Sequence, residues 1–161
     1  MRVVFSLALA VMTLAAVSLG TPALAEDPVA VGAMRIMHPW ARASIGHGKN
    51  GAAFLTIVNT GGAEDKLVAA TTDVAKSAEI HQSKMEDGVM KMRMLMGGLT
   101  IPANGKVELK PMGMHVMMMG LTEKLIEGEA LVLTLTFEKS GSIDISVPVG
   151  GPGAMMAPSM N

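Results

Sequence analysis

The clearest pattern along the chain is a two-residue alternation of apolar and polar positions near its C-terminal end. Apolar side chains occupy every second position from Leu131 to Phe137 and again from Ile143 to Val149. Successive side chains of a β-strand point to opposite faces, so this period is typical of a strand with one face in a core. The pattern therefore predicts two half-buried strands.

Six further short segments predict strands, because each is rich in apolar residues and lies between turn-forming residues. They are residues 52–59, 66–71, 77–82, 89–94, 106–110 and 114–119. No amphipathic helix of ordinary length follows the N-terminal apolar segment. About eight to ten short strands at this close spacing predict an all-β fold, a Greek-key barrel or sandwich.

The N-terminal segment has the features of a secretory signal. Arg2 precedes an uncharged apolar run from Val3 to Leu19, and Ala23-Leu24-Ala25 resembles an A-x-A cleavage site. We expect residues 1–25 to be removed on export to the periplasm. The alternative is an uncleaved membrane anchor, because the apolar run is near the lower length limit for a membrane span.

Beyond the cleavage site the sequence predicts one domain and a tail. Residues 26–150 contain all the strand patterns and suffice for one hydrophobic core. Residues 151–161 have no pattern and are expected to form a flexible tail. Without Arg2 the chain has 12 basic and 14 acidic side chains, which provides no basic field for nucleic acid or for a membrane surface. We expect no stable membrane insertion after cleavage.

The chain contains no cysteine. It therefore has no disulfide, no thiolate nucleophile and no ligand for a blue-copper electron-transfer site. It also lacks a Gly-x-Ser-x-Gly elbow, a phosphate-binding glycine loop and an acidic pair among its histidines. We expect a protein that is not an enzyme.

Residues 81–119 contain two histidines and ten methionines. Imidazole nitrogen and thioether sulfur form a soft donor set, which among biological metals suits Cu(I) best. Zinc prefers cysteine, histidine and carboxylate, whereas calcium and magnesium prefer oxygen ligands. The cluster therefore predicts a copper site.

Strand geometry indicates how four donors could converge. His115 and Met117 are two residues apart, so on a strand both side chains leave the same face. Met92 shares a face with Met90, Met94 and Met96 on an earlier strand, and His81 lies at the end of another. If the strand that carries Met92 lies near the one that carries His115, one Cu(I) ion could be bound by His81, Met92, His115 and Met117.

The remaining histidines and methionines have simpler interpretations. Met85 is a spare sulfur in a turn, and the methionines beside His115 are expected to pack in the core or form an apolar collar. His38 and His47 are expected to be solvent-facing or structural, with a weaker second copper site as the alternative. The methionines of the tail either capture copper or have no role. The methionines beside His115 are Met112, Met114, Met118 and Met119, and those of the tail are Met155, Met156 and Met160.

The spacing of the predicted ligands resembles the metal motif of the periplasmic copper chaperones of the PCuAC type. Ten residues separate His81 from Met92, and His115-Val116-Met117 supplies a His-x-Met. The interval from Met92 to His115 is 22 residues, one longer than in the usual motif. Met90 and Met94 are therefore the alternatives to Met92. Other similar segments include Pro39-Trp40-Ala41-Arg42, Phe54 to Asn59, Ala78-Glu79-Ile80-His81, Gly88 to Arg93, Ile101-Pro102-Ala103 and His115 to Leu121.

The resemblance implies a cupredoxin-like Greek-key domain that carries Cu(I) in the periplasm. The implied destination is the dinuclear copper (CuA) centre of cytochrome c oxidase, through subunit II or its assembly factors. Two rival functions remain open. One is copper sequestration for tolerance, and the other is a metal-independent interaction module with a methionine-rich core.

Overall fold

The computed structural model describes residues 29–45 and 49–158. The predicted signal peptide, His47 and Met160 lie outside this part of the chain. The described residues form eleven β-strands and no helix. In order they are β1 (Val29–Val31), β2 (Met34–Arg42), β3 (Asn50–Asn59), β4 (Asp65–Thr71), β5 (Ala75–Glu86), β6 (Val89–Met94), β7 (Leu99–Ile101), β8 (Lys106–Leu109), β9 (Met114–Leu121), β10 (Ala130–Phe137) and β11 (Gly141–Gly150).

Eight of these strands close into a barrel. Their order around the ring is β5-β9-β8-β3-β2-β11-β10-β4, and β4 closes on β5 through the pair Ala70 and Ala78. The other three strands each extend one neighbour: β1 pairs with β2, β6 with β5, and β7 with β4. The predicted all-β barrel is confirmed. In the described residues there is also no helix with the length and apolarity needed to cross a membrane.

The core follows the alternation seen in the sequence. Leu131, Leu133 and Leu135 of β10 are buried and face Val147, Ile145 and Ile143 of β11 in antiparallel register. Because each alternate side chain points outward, the same strands leave their polar positions on the surface. The two strands predicted from this period are therefore present, with their apolar faces inward.

Three strands were not predicted, and one is longer than predicted. β1 and β7 have three residues each, which is too short for a clear alternation. β2 was not predicted, because a register shift between Met37 and Trp40 breaks its alternation, and His38 within the shift has a φ of 49°. A bulge inserts an extra residue and moves the burial pattern out of phase. β5 extends well beyond residues 77–82 on both sides, and its far end pairs with β6. This paired end carries the histidine–methionine cluster.

Candidate metal centre

Three adjacent strands, β6, β5 and β9, carry the candidate site. His81 lies in the middle strand and is the direct partner of His115 on β9 and of Met94 on β6. Directly opposed residues of antiparallel strands lie on the same face, with Cβ atoms about 4.5–5.5 Å apart. Met94, His81 and His115 therefore form one row across the sheet.

The other two predicted ligands lie on the same face, one step from this row. Met117 follows His115 by two residues and is opposite Glu79. Met92 is opposite Ser83, so it lies diagonally from His81, and Met94 takes the directly opposed position. The fold thus places all four predicted ligands on one face of three neighbouring strands. It also places Met94 nearer to the histidine pair, by register, than Met92.

His115 forms the buried wall of the site. Its side chain is 5% exposed, and its Nδ1 lies 3.1 Å from the carbonyl oxygen of Gly113. A carbonyl only accepts, so Nδ1 carries the hydrogen and Nε2 keeps its lone pair. Burial lowers the pKa of His115, partly opposed by the Gly113 hydrogen bond, and the nearby His81 lowers it further. The ring is therefore neutral near pH 7 and can bind a metal.

His81 lies beside this wall, with its ring centroid 6.0 Å from that of His115. Its Nε2 is 2.9 Å from a carboxylate oxygen of Glu79, two residues earlier on the same strand. Its Nδ1 is buried and has no hydrogen-bond partner. Two imidazoles thus stand side by side, each with one nitrogen held by the protein.

Aromatic rings close the far side of His115. The ring of Phe54 on β3 is centred 6.4 Å from His115, and that of Trp40 on β2 is 4.6 Å from Phe54. The Arg42 guanidinium carbon lies 5.6 Å from the Phe54 centroid. Both aromatic rings are buried. They exclude water from one side of the site, because large side chains leave no room for it there.

The sulfur side is open by contrast. Met92 and Met94 are 51% and 49% exposed. Met117 is partly buried and borders a groove of about 320 Å³ that is also lined by Arg42, Ile45 and Ala52. The donors therefore range from a buried imidazole to half-exposed thioethers, so one side of the site is accessible from solvent.

The neighbouring methionines fall into different places. Met118 is fully buried in the core, and the partly buried Met114 packs against the core. Met119 lies on the same strand face as Met117, but it is opposite Ser77 and so farther along the strand from the histidines. Met112 is exposed. Met85 lies directly opposite Met90, toward the tip of the β5–β6 hairpin.

His38 and the C-terminal segment lie elsewhere. His38, Trp40, Met155 and Met156 line a separate groove of about 350 Å³, and Arg42 donates hydrogen bonds to the carbonyl oxygen of Ala154 at 2.8 and 3.1 Å. The segment predicted as a flexible tail therefore contacts β2 in its described part. Within the described residues, no group of three histidine, aspartate or glutamate side chains is close enough to hold a metal. The further soft donors on the face of the histidine pair are the sulfurs of Met92, Met94 and Met117.

Two features of the site were not predicted from the sequence. Glu79 was noted only as part of a similar segment, although its position two residues before His81 places it on the same strand face. The sequence predicts a strand at Phe54, but nothing in the linear sequence shows that β3 lies beside β9. The first could have been found from alternation, whereas the second required the strand order.

A closed barrel with a histidine–methionine face defines the class as a cupredoxin-like copper-chaperone domain, and solved structures share this fold. The apo PCuAC domain from PmoF1 is 30% identical, with a TM-score of 0.67 over 78% of this chain and 100% of that one. The copper-bound PCuAC domain from PmoF2 is 25% identical, with the same TM-score over 78% and 99%. CuI-DR1885 from Deinococcus radiodurans is 29% identical, with a TM-score of 0.57 over 79% and 83%. The resemblance to the PCuAC type and the cupredoxin-like fold are confirmed.

The sequence places the chain in a family. The family described as "Putative lipoprotein LpqE-like" matches residues 34–149, so the chain belongs to the LpqE-like family. A curated relative, "Putative lipoprotein Lxx21020" of Leifsonia xyli subsp. xyli, is 32% identical over 145 residues. That match covers 85% of this chain and 86% of the relative.

Proposed function

We propose that this protein is an exported chaperone that binds one Cu(I) ion and passes it to an acceptor protein. The observation that carries the proposal is the row formed by His115, His81 and Met94, with Met92 and Met117 on the same face. Two similar solved structures are named as copper-bound and CuI forms, which supports copper as the metal. The putative-lipoprotein names of the family and the relative support export.

The donor set fits a monovalent soft ion. We propose that His81, His115 and Met117 bind the ion together with a sulfur of β6. The motif favours Met92 for that sulfur, and the strand register favours Met94. Thioethers are soft, neutral ligands, and Cu(I) accepts them readily, whereas zinc does not.

Transfer follows from the unequal exposure of the donors. The half-exposed sulfurs of β6 and the groove beside Met117 leave room for ligands of an acceptor to reach the ion. An incoming ligand can bind before a thioether leaves, so the ion is never released to water. The step is an exchange of ligands, with no bond of a substrate made or broken, and so we propose no enzymatic activity.

We propose the periplasm as the place of transfer and the CuA centre of cytochrome c oxidase as the destination, through subunit II or its assembly factors. Deletion of the gene would then lower oxidase activity when copper is scarce, and added copper would restore it. Normal oxidase activity combined with sensitivity to excess copper would instead indicate sequestration for tolerance.

Metal binding is tested by anaerobic Cu(I) titration of residues 26–161 against a chromogenic Cu(I) chelator. We expect one tightly bound equivalent in the wild type and its loss in a His115→Ala/Met117→Ala variant that remains folded by circular dichroism. A His38→Ala/Met156→Ala variant is the matched control, because it also removes one imidazole and one thioether but from the other groove.

Two results would contradict the proposal. Equal and weak binding by all three proteins would show that the histidine–methionine face is not a copper site. A His115→Ala/Met117→Ala variant that loses stability but binds no less metal would favour the metal-independent interaction module.

A further inference from the structure

One nitrogen atom in the site is unexplained by the fold. Among the buried side-chain nitrogen and oxygen atoms of the described residues, Nδ1 of His81 has no hydrogen-bond partner. Such an atom is unfavourable when nothing binds it, because it has lost its hydration without gaining a partner. Buried polar atoms are nearly always satisfied in folded proteins, so an exception indicates a ligand or a function.

The other nitrogen of the same ring determines the state of Nδ1. Nε2 of His81 is 2.9 Å from the Glu79 carboxylate, which can only accept a hydrogen bond when ionised. Nε2 therefore carries the hydrogen. In a neutral imidazole the second nitrogen then has a free lone pair, so Nδ1 of His81 is chemically able to bind a metal.

His115 shows the opposite arrangement. Its Nδ1 donates to the carbonyl oxygen of Gly113 at 3.1 Å, which leaves the lone pair on Nε2. The two rings are 6.0 Å apart and tilted by 52°. Each ring is thus fixed in one tautomer by a different acceptor, a carboxylate for His81 and a backbone carbonyl for His115.

We propose that Glu79 is a positioning residue for copper: it holds His81 as the Nε2–H tautomer, so that His81 binds Cu(I) through Nδ1 while His115 binds through Nε2. This inference rests on the proposed function. A carboxylate that accepts from the far nitrogen of a ligating imidazole fixes the ring and makes it a stronger donor. The carboxylate of Glu79 also places a negative charge beside the cationic site, opposite Met117.

A simpler interpretation is an ordinary surface ion pair between Glu79 and a protonated His81. Burial argues against it, because the His81 side chain is 14% exposed and its Nδ1 is inaccessible. A protonated ring would place an N–H at that buried atom without an acceptor. The neutral ring with a metal on Nδ1 leaves both nitrogens satisfied.

The first experiment uses the metal-free protein, so it does not depend on copper binding. Long-range ¹H–¹⁵N correlation spectra at about pH 8, above the ordinary histidine pKa of roughly 6.5, report which nitrogen carries the hydrogen. We expect the Nε2–H form for His81 and the Nδ1–H form for His115. In Glu79→Ala the His81 signals should become a mixture of tautomers, while those of His115 stay unchanged.

The second experiment measures copper. Cu(I) is diamagnetic, so the same spectra of the loaded protein show which nitrogen of each ring shifts on binding. We expect Nδ1 for His81 and Nε2 for His115. In the chelator competition Glu79→Ala should bind Cu(I) about 10–100-fold more weakly than the wild type, the usual effect of losing such a partner.

Two variants separate positioning from general effects. Glu79→Gln keeps an oxygen that can accept from Nε2–H and should recover the tautomer and part of the affinity. Glu108→Ala removes a carboxylate of equal charge from β8, where it pairs with Lys106 and Lys110, and should leave both measurements unchanged.

The outcomes distinguish this inference from the proposed function. An Nδ1–H tautomer for His81 in the metal-free protein, copper on Nε2 of His81, or unchanged affinity in Glu79→Ala would each overturn the role of Glu79 while copper binding stands. Absence of tight Cu(I) binding in the wild type would overturn the proposed function, and with it the role of Glu79 toward copper.

Discussion

A single backbone oxygen holds one imidazole of the site. The carbonyl oxygen of Gly113 accepts a hydrogen bond from the backbone nitrogen of Ser83 at 3.0 Å and another from His115 at 3.1 Å. It therefore links the turn before β9, the strand β5 and one imidazole. The preceding Met112 has a φ of 64°, a conformation few side chains adopt. The imidazole of His115 is thus held in one orientation by the turn before β9.

The buried carboxylate of Asp65 connects parts of the chain that are distant in sequence, because it accepts hydrogen bonds from both. Its carboxylate accepts hydrogen bonds from the backbone nitrogens of Lys66, Lys139 and Ser140 at 2.7, 2.9 and 2.9 Å. Burial alone would raise its pKa, but the hydrogen bonds from Ser140, Lys139 and Lys66 outweigh it and the pKa is lowered. The start of β4 is thereby attached to the turn between β10 and β11.

The lowered pKa of Asp65 has a defined effect on stability. A carboxyl group with a lower pKa in the folded than in the unfolded state stabilises the fold above its unfolded pKa, about 3.9, and loses this contribution as the pH falls through the folded pKa. We expect Asp65→Asn to lower the free energy of unfolding by about 2–3 kcal/mol at pH 7, since hydrogen bonds to charged groups are lost. Urea denaturation at pH 7 and at pH 3 measures this.

The difference between wild type and Asp65→Asn should shrink at the lower pH, because the carboxyl of the unfolded chain, with a pKa of about 3.9, is then largely protonated and folding must release that proton. Asp144→Asn is a suitable control, because Asp144 accepts from Thr134 at an exposed position on β11. An Asp65→Asn protein as stable as the wild type at pH 7 would contradict the role given to this carboxylate.

At the scale of elements, the sequence predicts where strands lie along the chain better than it predicts which strands are adjacent in the sheet. Alternation identified β10 and β11, and turn residues delimited β6 and β9, because both signals are local. β2 was missed because its bulge shifts the alternation. Which strands lie side by side depends on long-range packing, and this is why the direct partner of His81 could not be predicted.

Strand register leads to a graded prediction for the sulfurs of β6. Met94 is level with His81, Met92 is one step away, and Met90 is two steps away opposite Met85. We expect loss of the bound sulfur, that of Met94 if the register decides and that of Met92 if the motif does, to weaken Cu(I) binding by at least about tenfold, comparable with or larger than the loss of an outer partner. The other of the two variants, Met94→Ala or Met92→Ala, should have a smaller effect. Met90→Ala should bind as the wild type does.

The same chelator competition ranks the three variants. All three side chains are 40–51% exposed, so differences in folding should be small and are checked by thermal unfolding. If Met90→Ala weakened binding more than Met94→Ala, the register would not describe the metal-bound site.

For the molecule as a whole, the barrel supplies the rigidity on which the site depends. Its strands alternate between the core and the surface, so neighbouring positions have very different effects on stability. Leu133 is completely buried, whereas the adjacent Val132 is 55% exposed. The two residues form a matched pair within one strand.

We expect Leu133→Ala to lower the free energy of unfolding by about 2–5 kcal/mol, because it leaves a cavity in the core. Val132→Ala should lower it by less than about 1 kcal/mol, the span of strand propensities. Chemical denaturation of the metal-free protein measures both values. Equal losses would show that β10 does not present alternate faces to the core and to solvent.

The exposure of the methionines also has a redox consequence. Oxidation of methionine to its sulfoxide depends on access, and the sulfoxide is polar and a much poorer partner for a soft ion. Met92 and Met94 are about half exposed, whereas Met34 and Met118 are buried in the core. An oxidant in the surrounding medium would therefore reach the sulfurs of Met92 and Met94 before those of the core. The protein would lose its capacity for copper while its barrel was still intact, and reduction of the sulfoxides would restore that capacity without refolding.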